Sequence, residues 1–190
     1  MGKPETEKAP TATTQQTVIS DRSSVIGTWV KASTNNNSHD VGNGLHGYFS
    51  CQYLFDKNGR YSFVSRTFSY LPDIILAKES GSYSINGNTI TLTPQSSIIQ
   101  KWSKGYTTGA DGRKVYVDKL GTLLSSQQRP LEKTSYRFTK EYFSGVQEWS
   151  LALSADKVTL RDGPYNGGHY YPGTWLYKAV VSDKFLVRTD

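Results

Sequence analysis

Cysteine is almost missing from this chain. Cys51 is the only one among 190 residues, which excludes an internal disulfide and any cluster of thiols around a metal. It sits in the alternating run YFSCQYLFD, so a buried, inert thiol is expected there rather than a nucleophile. Long apolar runs are missing too. None approaches the roughly 20 residues that span a bilayer, and no hydrophobic signal core stands at the amino terminus. Nor is charge of one sign concentrated. The formal net charge is +6, but the basic residues are scattered, and Lys101, Lys104, Arg113, Lys114 and Lys119 form the only loose group. Phosphates are bound by concentrated fields rather than by net charge, so a solvated face and no nucleic-acid partner are expected.

Motifs of chemistry are sparse in the same way. There is no G-x-S-x-G elbow to activate a serine. Glu141, Glu148 and Asp118 fall in or beside strand-like runs with nothing to orient one toward another. His39, His46 and His169, even with Asp40 and Asp162 counted, match no metal-ligand spacing and fall in loop-like stretches. The expectation is a protein that is not an enzyme, with no metal and no cofactor.

What the chain does have is aromatic residues (13%) and 17 glycines, a bias that suits pleated, half-buried surfaces. Residues 1–24 are the exception. Rich in Thr, Gln, Lys, Glu and Pro, they cannot repay their ordering entropy and read as a disordered tail or linker. Their composition is that of the spacer following the cleaved signal of exported bacterial proteins, lipoproteins included. An extracytoplasmic location is therefore expected: secreted, periplasmic, or held at the surface by a lipid anchor upstream.

From Val25 the pattern becomes short strand-like runs separated by turns, the mark of an antiparallel sandwich or barrel. VIGTWVKAS is the first. In YFSCQYLFD, Phe49, Cys51, Tyr53 and Phe55 share one face, and Asp56-Lys57-Asn58-Gly59 turns the chain into RYSFVSRTFS. GSYSINGNTITLTP repeats the device around Asn86-Gly87. SSIIQKWSK, RKVYVDKLGTLL, TSYRFTKEYF, QEWSLALSA, KVTLRD, GTWLYKAVV and DKFLVRT continue the series, and only PDIILAKE reads as a short helix. About ten strands without alternating helices exclude a parallel α/β fold and predict an all-β, up-and-down antiparallel barrel. GTW occurs at residues 27–29 and 173–175, but the intervening strands keep no fixed period, so it is no repeat.

The stretch DGPYNGGHYYPGTW, residues 162–175, gathers a histidine, tyrosines, glycines and prolines. Asp162-Gly163-Pro164 reads as a turn after KVTLRD, and Pro172-Gly173 as a second turn before the next strand. The favoured reading is a structural corner. The other is a binding loop, in which Tyr165, Tyr170 and Tyr171 stack on a sugar or another apolar-faced group.

Residues 25–190 resemble the lipocalin-like members of the calycin group, small exported bacterial domains of about 8–10 strands. The resemblance rests on the G-x-W of Ile26-Gly27-Thr28-Trp29, followed by the hairpin YLFDKNGRYSF and then by GSYSINGNTITLTP. It implies that a basic residue near the carboxyl end, Arg188 in FLVRTD, closes the barrel across Trp29 through a cation–π contact. The stretch 96–134 exceeds what a minimal barrel needs, and a long hairpin projecting around GYTTGADGRK would accommodate it.

The resemblance further implies a cup for a small hydrophobic or amphipathic molecule. Read from alternation, its inward-facing candidates are Tyr53, Phe55, Tyr61, Phe63, Trp102, Tyr136, Phe138 and Trp149, with the polar loop 33–47 beside the entrance. A packed barrel has the same periodicity as a hollow one. The alternative is therefore a solid barrel whose tyrosine-rich loops bind a protein or a glycan.

Overall fold

A computed structural model describes residues 24–34, 48–68, 73–163, 173–180 and 186–190. Nine strands run through them: β1 (Gly27–Thr34), β2 (Tyr48–Phe55), β3 (Arg60–Phe68), β4 (Asp73–Asn86), β5 (Thr89–Thr108), β6 (Lys114–Gln128), β7 (Thr134–Phe143), β8 (Glu148–Ser154) and β9 (Thr174–Ala179). Every pairing is antiparallel. The order is β4-β3-β2-β1-β9-β8-β7-β5-β6, and β4 also pairs with β5. That last pairing closes the sheet into a barrel-like ring of every strand but β6, as the up-and-down all-β expectation required.

Local chemistry sets the hairpins. Asp56 Oδ1 accepts from the backbone N–H of Asn58 (2.8 Å) and of Arg60 (2.9 Å), and Gly59 takes φ +74° between β2 and β3. Asn86 faces Thr89 across a two-residue turn in which Gly87 has φ +58°. The 20 residues of β5 change partner along their length. Thr89 to Leu92 pair with β7, whereas Ile98 to Thr108 pair with β6. The β5–β6 hairpin thus leaves the ring, turning where Gly109 N–H donates to Arg113 O at 2.8 Å. This is the projecting hairpin expected around GYTTGADGRK.

Two expectations for local structure fail. PDIILAKE is not helical: residues 73–80 open β4, held between β3 and β5 with Ile74 and Leu76 fully buried. Sheet partners on both sides override whatever helical character the segment has. KVTLRD is not a strand, because residues 155–163 are irregular. Of DKFLVRT, the described residues 186–189 carry no strand.

Alternation places the core. Trp29, Tyr53, Phe55, Tyr61, Phe63, Tyr136, Phe138, Trp175 and Tyr177 pack with Cys51, Ile90, Leu92, Leu151 and Leu153 in one cluster inside the ring. The face YFSCQYLF presents to it is the predicted one: Cys51, Tyr53 and Phe55 are buried and Phe49 packs against the cluster. Gly81 lies at the register break in β4, where a Cβ would come within 2.2 Å of Thr93 O and 2.9 Å of Tyr61 Cε1. On the outer face, Arg66 is fully buried. It donates to Asp118 Oδ1 (2.6 Å), Arg188 O (2.9 Å) and Asp190 O (3.2 Å), and Lys104 Nζ stands 4.3 Å from the Phe68 ring centre. The projecting hairpin and the carboxyl end are thereby fastened across β3.

Candidate functional site

The centre of the ring is occupied by the chain itself. After β8 the irregular segment 155–163 turns inward, with Thr159, Arg161 and Asp162 buried and Val158 and Leu160 exposed. Ordinary polarity is reversed here: the polar side chains point in and the aliphatic ones out. A strand reading of KVTLRD keeps the alternation but has no reason to send a charged pair into the core, which is why both residues escaped notice as interior groups.

Asp162 receives four side-chain donors. Its Oδ1 accepts from Tyr53 (3.0 Å) and Tyr177, and its Oδ2 from Tyr136 (2.6 Å) and Thr159. Thr159 Oγ1 in turn accepts from Asp162 N–H at 3.1 Å, and Lys31 Nζ donates to Asp162 O at 2.6 Å. The three tyrosines come from β2, β7 and β9, so one carboxylate ties three parts of the ring together. Burial, then the Asp162 charge, pushes all three phenols well above their ordinary value. They therefore act as fixed donors.

Arg161 is anchored beside it. Its Nε lies 2.5 Å from Glu79 Oε1, its Nη1 donates to Thr134 Oγ1 at 3.0 Å, and its Nη2 donates to Glu132 O. Tyr61 donates to the same Glu79 oxygen at 2.6 Å. Neither side chain of the Arg161–Glu79 pair is more than 2% exposed. Burial opposes the guanidinium charge, yet the Glu79 carboxylate beside it helps to hold it above its ordinary value. On the outer side, Leu160 N–H donates to Glu132 Oε2 (3.0 Å) and Arg129 Nη2 to Leu160 O (2.5 Å).

The buried charges of this arrangement are met by the chain's own donors and acceptors. Cys51, whose Sγ lies 3.6 Å from Arg161 O, has its thiol pushed up by burial and stays protonated. Burial also lowers the Lys31 ammonium, against the opposing pull of the Asp162 charge, and it stands 5.5 Å from the Phe49 ring centre and 5.9 Å from that of Tyr177. The catalytic carboxylates considered from sequence are engaged elsewhere, Asp118 with Arg66 (2.6 Å) and Glu148 with Lys178 (2.7 Å). Among the described residues no three His, Cys, Asp or Glu side chains gather as metal ligands, and His39, His46, His169 and Asp40 lie outside those residues.

Of the predicted ligand-facing residues, Tyr53, Phe55, Tyr61, Phe63, Tyr136 and Phe138 are buried in the ring. Tyr53 stacks on Phe55 at 5.5 Å and meets Phe63 at 4.9 Å and Tyr177 at 5.1 Å. Trp149 is half-buried at the edge of the cluster, 5.3 Å from Tyr142. Trp102 belongs to the outer face. Ser97, opposite Glu79, points inward, so five positions on Trp102 points outward, opposite Ile74. Trp175, Tyr177, Thr159, Arg161, Asp162, Lys31 and Glu79 complete the interior unpredicted. Two open hollows, of about 400 and 390 Å³, lie between Lys140, Glu141, Tyr142 and Trp149 and between Thr89, Ser135, Arg137, Ser154 and Asp156.

The cation over Trp29 is also a different one. Lys140 Nζ stands 5.5 Å from the Trp29 ring and 5.1 Å from that of Trp149, while Trp29 Nε1 donates to Val25 O at 2.7 Å. Arg188 is more than half exposed, 3.4 Å from Asp190. The carboxyl end crosses β2 and β3, where Gln52 Oε1 accepts from Val187 N–H, and this holds Arg188 beside Arg66. The loop tyrosines Tyr165, Tyr170 and Tyr171 and residues 35–47 of the entrance loop lie outside the described residues.

Comparison with family models, curated proteins and solved structures returned no match.

Proposed function

We propose that this chain is a non-enzymatic interaction module on a lipocalin-like scaffold, in which the ring interior is structural and the outer surface engages the partner. The observation that carries this reading is the occupation of the interior by Arg161 and Asp162, with the Asp162 carboxylate and the Arg161 guanidinium satisfied by the chain's own donors and acceptors. A small amphipathic molecule would have to displace both, leaving Glu79 without its cation and three buried phenols without their acceptor. Each such orphan costs roughly 1–3 kcal/mol. The closed ring and the Trp29 stacked under a cation support the lipocalin-like kinship, and the spacer-like composition of residues 1–24 supports an extracytoplasmic setting.

Native mass spectrometry before and after gentle organic extraction, together with titration of tryptophan emission by a fatty acid and other lipophilic probes, tests it. The expected result is the bare chain mass and no saturable change in emission. A removable small mass, or saturable quenching, would establish the ligand-binding cup instead.

A further inference from the structure

The far end of the β5–β6 hairpin, residues 104–120, runs beyond β4, whose pairing with β5 ends at Ser103. Among the described residues β6 is the terminal strand, paired only with β5, and it is exposed along most of its 15 residues on both faces. Tyr106, Val115, Tyr116, Leu123 and Leu124, on the two strands of the hairpin, are each more than 40% exposed. A two-stranded ribbon without a covered face is marginal in water, and the open edge of β6, regular at residues 114–117 and 125–128 on either side of its register shifts, offers rows of backbone groups to an extended chain. It is fastened to the ring by the β4–β5 pairing as far as Ser103, by Lys101 to Asp73, by Asp118 to Arg66 and by Lys104 over Phe68.

Charge selects among occupants. Arg113, Lys114 and Lys119 are exposed on the hairpin; the acids there are Asp111, beside Arg113, and Asp118, bound to Arg66. The whole chain carries +6, so a second copy laid along β6 would bring like charges together. Resting on the proposed interaction module, we infer that β6 is the docking edge for an extended, acidic segment of a partner protein, which joins the sheet as an added strand. Main-chain hydrogen bonds to β6 would supply the affinity, and the exposed apolar side chains with Lys114 and Lys119 would select alternating apolar and acidic residues.

The test uses the full chain and a fluorescent peptide of about eight residues alternating valine with glutamate, read by anisotropy. Saturable binding is expected, weakened by salt and weakened at least tenfold when alternate peptide nitrogens are methylated. Leu124 has no partner on β5, since the register passes from Lys101↔Ser125 to Trp102↔Leu123. Leu124→Pro is therefore expected to keep the melting temperature and lose the peptide. The methylated peptide gives the same information without altering the chain. No binding, equal binding of a valine–lysine peptide, or indifference to methylation would overturn the inference. So would preferential binding to phosphatidylserine vesicles, or self-association in sedimentation that Leu124→Pro abolishes. These results leave the scaffold reading standing, whereas an extractable lipophilic mass would remove that reading whatever the peptide does.

Discussion

Replacing Arg161 with methionine should destabilise the protein severely, and the reason can be followed atom by atom. The substitution keeps an unbranched apolar stem but removes the guanidinium that lies 2.5 Å from Glu79 and donates to Thr134 and Glu132. The buried Glu79 carboxylate would retain the Tyr61 hydroxyl but no cation, and breaking a buried pair from one side costs about 3–5 kcal/mol. With a urea slope of about 1–3 kcal/mol per molar, the unfolding midpoint should fall by about 1 M or more. Removing both charges behaves differently. Arg161→Met with Glu79→Leu removes both fully buried ions and leaves the partly exposed Glu132 its contact with Lys157, so the double variant should recover much of the loss, with a coupling of at least about 2 kcal/mol. Urea titrations of the four proteins at one pH measure the cycle. A single-variant cost under about 1 kcal/mol, or simple additivity, would refute the claim that a buried charge pair pins the inward segment.

Stability should fall steeply in alkali. The phenols of Tyr53, Tyr61, Tyr136 and Tyr177 are raised by burial and then by their carboxylate neighbours, so above the ordinary value of about 10 the unfolded chain releases protons that the folded chain keeps. Folded protein then binds more protons, and stability drops with rising pH by up to about 1.4 kcal/mol per unit for each tyrosine. Lys31 acts in the opposite sense, since its lowered value makes stability rise as pH climbs through it. Urea midpoints across the alkaline range, compared with Tyr177→Phe, measure the tyrosine contribution; a flat profile would contradict the cluster. Gly81→Ala should cost about 2–3 kcal/mol, because its Cβ meets backbone at Thr93 and Pro94. A melting temperature equal to that of the parent would show that the β4 register break relaxes freely. Lys140→Met should cost about 0.5–1 kcal/mol through the lost contact with Trp29 and Trp149, more than Arg188→Ala at the exposed carboxyl end. The reverse order in thermal melts would return the closing role to Arg188.

Much of the ring was legible from short-range chemistry. Asn58-Gly59 and Asn86-Gly87 marked hairpins because few other residues accept positive φ, and the alternation in YFSCQYLFD identified the face that is buried. Six of the aromatics named from that alternation stand in the core. The errors share one cause. Alternation within SSIIQKWSK alone points Trp102 inward, whereas the segment continues a long β5 whose facing is set by the pairing of Ser97 with Glu79. PDIILAKE was read as a helix because local composition says nothing of the strands waiting on both sides.

The inward segment shows the limit most clearly. Alternation in KVTLRD is visible in the sequence, but its phase against the core is not, because a strand and an irregular arm carry the same pattern. Arg161 and Asp162 became interior residues only because Glu79 lies 82 positions away in the chain and Tyr53 109, on strands that the ring brings to one place. The cation over Trp29 was decided likewise, by closure of the ring bringing Lys140 of β7 to it rather than by nearness to the carboxyl terminus. By itself the sequence determined strands, turns and a common buried face, since those depend on a few neighbouring residues. Which charges meet inside that face, and which strand is left with an open edge, depended on closure of the ring.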